Sequence, residues 1–201
     1  VSTTPRTATL RGLTIVQPHN GQACVTLTGG AGSTLGSQTI LIEDCQFRPS
    51  GIGGMTVSGT TFNTLVMRRC RADGVPSSTT MALSQCGSLD VQGGTLPASQ
   101  VDLSSSGSLP SLGATGPYRF TSCDAIGNFQ STLQGAGSLV FQSSTVGNLT
   151  LNGNRTLQVR GCALGTLTLN DTSAASLVGT TRGSATGTGT LQEDRLIGST
   201  A

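Results

Sequence analysis

The chain has 201 residues, of which 35% are hydrophobic and 3% aromatic, while Gly alone accounts for 29. That bulk is too thin for one large globular core but suits a stack of short repeats, each burying a few side chains. Charged residues make up 10%, against ~25% in ordinary soluble domains, and the net charge of +2 is too weak a field to favour nucleic acid or anionic membrane.

A four-point apolar pattern, h-x-h-x-x-h-x-h, returns seven times. In chain order its copies are Ala8/Leu10/Leu13/Ile15, Ile40/Ile42/Cys45/Phe47, Leu65/Met67/Cys70/Ala72, Leu89/Val91/Gly94/Leu96, Tyr118/Phe120/Cys123/Ala125, Leu139/Phe141/Ser144/Val146 and Leu157/Val159/Cys162/Leu164. Alternation of period two predicts strands with the h positions inward. The doubled x predicts a two-residue bend between two short strands that both keep an apolar side inside. Successive copies are offset by 32, 25, 24, 29, 21 and 18 residues. A recurrence of this size predicts a solenoid in which each coil covers its neighbour's open edge.

After each bend comes a third strand-like piece: Cys24–Leu27, Met55–Val57, Met81–Leu83, Val101–Leu103, Leu149–Leu151 and Leu167–Leu169. The expected fold is therefore all-β: a right-handed parallel β-helix with three short strands per coil and about seven to eight coils. Its expected extent is residues 1–180, with 181–201 a C-terminal cap or tail. Gly- and Ser-rich loops at 29–36, 48–51 and 104–116 emerge on its sides. No apolar run of roughly eighteen residues is present, so no membrane-spanning helix is expected. Val1 carries neither an initiator Met nor a signal-like segment, and the pattern is already running by Ala8; an excised piece of a longer chain is expected.

Four of the six cysteines, Cys45, Cys70, Cys123 and Cys162, occupy the third h position. That position faces inward, so they read as a column of small, polarizable reduced thiols, in keeping with folding in a cytoplasm. Parallel side chains in one column disfavour the dihedral that a disulfide needs. With no CxxC and one His (His19, in a Pro- and Gly-marked corner), neither a metal nor any other cofactor is expected.

Two segments, 41–47 (LIEDCQF) and 157–164 (LQVRGCAL), resemble coils of the pectin-lyase-like right-handed parallel β-helix, of the phage tailspike and tail-fibre type. The resemblance covers roughly residues 7–179. It implies the fold; the superfamily contains polysaccharide lyases, hydrolases and non-enzymatic fibres alike. The Asn-Thr-Asp, Asp-Asp, Gly-His-Gly and Arg-Ile-Lys segments of polygalacturonases are absent, and so is any Lys for a lyase base.

Cleavage of a glycosidic bond by acid and base needs two carboxylates held ~5–9.5 Å apart. If the chain is an enzyme, a polysaccharide depolymerase, the carboxylates to consider are Asp102, Asp124 and Asp90. Glu43 and Asp44 lie in the bend, where an outward ion pair from Glu43 to Arg68 is expected. Arg11, Arg68 and Arg160 share that outward column, with Arg69, Arg71 and Arg119 on neighbouring positions. Arg11, Arg68, Arg71 and Arg160 are the candidate binding residues, suited to an acidic host surface polysaccharide. Thr26, Thr56, Thr150 and Thr168 form an expected outward column on the third strand, an ice-binding arrangement that Ala82 and Asp102 interrupt.

The expected role is thus a structural and receptor-binding segment of a phage or phage-like tail fibre, tailspike or virion appendage. It would be a homotrimer, contact host glycan and other virion proteins, and fold in the host cytoplasm before acting outside it.

Overall fold

A computed structural model describes residues 6–17, 23–28, 38–48, 55–72, 80–94, 100–104, 118–123, 128–131, 138–152, 156–171 and 173–194. Within these residues the protein is all-β, with twenty strands and no helix. Every strand pairing among them is parallel.

The strand order follows the apolar pattern. β1 (Arg6–Arg11) pairs with β4 (Gln38–Glu43), placing Ala8 beside Ile40 and Leu10 beside Ile42. β4 pairs with β6 (Met55–Ala72), and β6 with β7 (Thr80–Gly94), matching Ile42 to Met67 and Met67 to Val91. The column continues through Phe120, Phe141, Val159 and Leu177, each the partner of the one before. These offsets are the spacings read from the sequence. They hold because a slip by one residue would turn every inward side chain to water.

β6 shows how one repeat lies on the next. Its eighteen residues pair in turn with β3 (Ala23–Thr28), with β4 and with β5 (Gln46–Arg48). A single stretch of chain thus follows three successive strands of the preceding repeat.

The core is built from these columns. Ile42, Leu65, Met67, Phe120, Leu139, Phe141 and Val159 are fully buried. Phe120 and Phe141, adjacent in one column, stack with ring centroids 4.8 Å apart and an interplanar angle of 11°. That separation is set by the ladder: parallel strands stand ~4.8 Å apart, which suits aromatic stacking.

Each bend turns on one residue with positive φ. Asp44 (φ 54°), Arg69 (49°), Ser122 (53°), Ser143 (49°) and Gly161 (59°) are each the second residue of the doubled x. The backbone N–H of Asp44 donates to Arg68 O at 3.0 Å, that of Ser143 to Arg160 O at 2.9 Å and that of Gly161 to Val178 O at 2.9 Å. The left-handed residue therefore reverses the local pleat without leaving its own N–H unpaired.

The third h position carries more chemistry than packing alone. Cys45 Sγ donates to Glu43 O at 3.3 Å and Cys70 Sγ to Arg68 O at 3.5 Å. Cys123 Sγ donates to Thr121 O at 3.5 Å, Ser144 Oγ to Gln142 O at 2.9 Å, and Thr180 Oγ1 to Val178 O at 3.2 Å. In the other direction Cys123 N–H donates to Ser144 Oγ at 3.1 Å and Ser144 N–H to Cys162 Sγ at 3.4 Å. The bend leaves a donor and an acceptor facing inward, and a short S–H or O–H side chain satisfies both. Polarizable bulk was the expected reason for Cys here; hydrogen-bond supply is the additional one, and it explains why Ser and Thr substitute in the same column.

Cys24, Cys45, Cys70, Cys123 and Cys162 are free thiols, and the last four are buried. Burial pushes the Cys70 thiol from its ordinary 9.0 up to about 11, partly opposed by hydrogen bonds from the backbone. A raised folded-state pKa keeps its contribution whole below pH 9.0 and loses it as pH climbs toward 11. Stability is therefore expected to fall over that window. Urea midpoints measured on both sides of it check this, and Cys70→Ala should flatten that part of the alkaline decline.

The stretch expected as a cap or tail carries three strands: β18 (Thr181–Arg182), β19 (Ala185–Gly187) and β20 (Thr190–Asp194). β19 pairs with β16 (Leu167–Leu169), and β20 with β17 (Ala174–Val178).

Candidate functional site

The outward positions that precede the bends form one continuous column: Arg11, Glu43, Arg68, Gln92, Thr121, Gln142, Arg160, Val178 and Asp194, each the cross-strand partner of the next. The strand period of two puts them all on the side opposite the core. Arg11, Arg68 and Arg160 are aligned as the sequence suggested.

The ion pairing differs from expectation. Glu43 does not pair with its neighbour Arg68. Its carboxylate takes Arg11 Nη2 at 2.6 Å and Arg69 Nη2 at 3.1 Å. Arg69 also grips Asp44 with two contacts, Nε to Oδ1 at 2.7 Å and Nη2 to Oδ2 at 2.9 Å. The reason lies in the bend: the left-handed conformation of Arg69 swings its side chain back over the previous bend, onto Asp44. Glu43 is consequently buried under the two guanidinium groups, with 7% side-chain exposure against 66% for Arg11 and 59% for Arg69.

The hydrogen bond from Arg69 is the main cause holding the Asp44 carboxyl below its ordinary value of 3.8; burial opposes it, and the charges of Arg69 and Arg11 reinforce it. The same bond and charge raise the Arg69 pKa. The four groups neutralise one another, so Arg11 is committed within the protein.

Arg68, Arg71, Arg119 and Arg160 form no ion pair with a described residue. Arg71, Arg119 and Arg160 are exposed, and Arg68 is half-buried with its Nε enclosed and lacking a hydrogen-bond partner. Arg68 and Arg160 bracket Gln92, Thr121 and Gln142 along a strip of about 19 Å, from four ladder steps of ~4.8 Å. Arg119 lies in the adjacent column, beside Asp90 and Val140. The strip presents cations at its ends and amide and hydroxyl groups between them, a set suited to hydroxylated, anionic ligands.

Of the candidate carboxylates, the two described ones, Asp90 and Asp102, are not brought together. Asp90 aligns with Val66 and Arg119 and accepts a hydrogen bond from Gln92 Nε2 at 2.8 Å. Asp102 lies on β8 (Gln100–Ser104), between Ala82 and Gln130. They belong to different columns. Asp124, His19 and the loops at 29–36, 49–51 and 105–116 lie outside the described residues.

The expected Thr column is altered. Thr26 aligns with Ser58 rather than Thr56, whereas Thr150, Thr168 and Thr186 are consecutive partners, with Thr168 Oγ1 3.2 Å from Thr186 Oγ1. The residues between Ser58 and Thr150 are Ala82, Asp102 and Gln130, which break any regular hydroxyl array.

Among the described residues no group of three or more His, Cys, Asp or Glu is placed to hold a metal ion. No family model, curated protein or solved structure matches the chain.

Proposed function

We propose that the chain is a right-handed parallel β-helix segment of a tailspike-like or fibre-like appendage, acting as a stiff, glycan-contacting spacer. The observation that supports it most is the register: one inward column runs from Leu10 to Glu193 through nine aligned positions, all in parallel pairs. Such a stack resists bending and proteolysis because each repeat closes the backbone hydrogen bonds of its neighbour. The reduced thiols fit folding in a cytoplasm, as virion proteins do. In this reading several copies assemble as a homotrimer with other virion proteins, and the strip from Arg68 to Arg160 meets an acidic surface polysaccharide.

Surface-immobilised acidic capsular polysaccharide, compared with neutral dextran, tests the binding. Arg68→Ala/Arg160→Ala should weaken binding to the acidic glycan at least tenfold and flatten its salt dependence. Equal binding to the two glycans, or an unaffected double variant, would remove the strip from the proposal. Sedimentation equilibrium tests assembly: a clean monomer at high concentration rules out the trimer.

A further inference from the structure

The two ends of the inward columns are built differently. At the first described repeat the inward-column residue Leu13 is 45% exposed. At the other end the apolar columns stop in charge. Val146 and Leu164 are followed in their column by Arg182, and Val159 and Leu177 by Glu193. Arg182 Nε and Glu193 Oε1 form an ion pair across this end, and the two side chains are only 23% and 24% exposed.

The side chains of the columns also become smaller there. Leu149 and Leu167 give way to Ala185 in one column, and Leu151 and Leu169 to Gly187 in another. A Cβ on Gly187 would stand 1.9 Å from Leu169 O, so this strand lies directly on the preceding one with no room for a side chain. The step from β17 to β20 is 16 residues, from Ala175 to Leu191, where the two preceding steps are 18.

We infer that residues 181–194 form a cap, and that the Arg182–Glu193 pair is the element that prevents a second copy of this chain from stacking end-to-end. An inward-pointing charge makes a further apolar layer costly, because the newcomer would bury the pair without replacing its water. Without the pair, the exposed first repeat of a second copy fits this end. Its Leu10 would continue the column of Leu177. The inference rests on the wound architecture proposed above but not on the glycan or the trimer: growth is read relative to the parent's own mass, whatever that mass is.

The test is Arg182→Leu/Glu193→Leu, with Arg182→Glu/Glu193→Arg as the control that keeps a pair. Sedimentation velocity should show species growing with concentration for the apolar variant, and the parent's distribution for the swapped one. Fibre diffraction of the grown species should give the ~4.8 Å strand spacing along the growth axis. Should the apolar variant fail to fold, Arg182→Met/Glu193→Gln carries the same comparison with little change of shape. An unchanged mass in the folded neutral variant, growth of the swapped control, or amorphous aggregate without the strand spacing would each overturn the inference.

Discussion

Phe141→Ala is expected to destabilise the protein by about 3–5 kcal/mol, the usual range for removing a fully buried aromatic ring. Phe141 has no exposed surface and stacks on Phe120 at 4.8 Å. Its other column neighbour, Val159, is a β-branched residue on a hydrogen-bonded strand, and its short, stiff side chain cannot move to fill the void. The cavity therefore stays open, and its cost adds to the lost transfer energy. Urea denaturation followed by circular dichroism checks this, with Phe141→Leu, which leaves a smaller cavity, expected to lose less than Phe141→Ala. A loss below ~1 kcal/mol for Ala would mean that the two rings are not packed as described.

Gly94→Ala is the second large effect. Gly94 occupies the column that elsewhere holds Cys, Ser or Thr, and its φ is +91°. A Cβ built there would lie 2.0 Å from Cys70 O and 3.0 Å from Cys70 N. The obstacle is backbone of the neighbouring strand, so relief requires opening the ladder between β6 and β7. The expected loss is about 3 kcal/mol, combining the strain of positive φ with overpacking. Gly161→Ala separates the two causes. Its φ is +59°, and nothing lies within 4 Å of the new Cβ, so only ~1–2 kcal/mol of conformational strain is expected. Thermal melts of the two variants side by side check the ranking. Equal losses would show that the close approach to Cys70 contributes nothing.

Much of the architecture could be read before any coordinates. The apolar positions recur with offsets that the strand register then reproduces, as with Leu65 to Leu89 and Tyr118 to Leu139. Period two plus a buried side leaves only one register per pair, so spacing alone is sufficient information. The Thr26 partner was legible too: the offset of 32 that relates β1 to β4 also leads from Thr26 to Ser58.

The candidate site was only partly legible. Alignment of Arg11, Glu43, Arg68 and Arg160 follows from the same offsets. The choice of partner for Glu43 does not, because a column offers a cation on either side and spacing weighs them equally. The left-handed bend at Arg69 decides it by aiming that guanidinium at Asp44 and Glu43. The Arg182–Glu193 pair was hidden for a related reason. An apolar pattern cannot register Arg182 and Glu193, whose inward places are visible only through their cross-strand partners Leu164 and Leu177.

The order of residues along the chain determined which side chains point inward and which strands lie side by side, because alternation and repeat spacing are properties of a one-dimensional string. The tertiary structure decided what bonds to what at the bends and the end. Those contacts depend on the handedness of single residues such as Arg69, and on carbonyl groups of the neighbouring strand that only folding brings within reach of a thiol or hydroxyl.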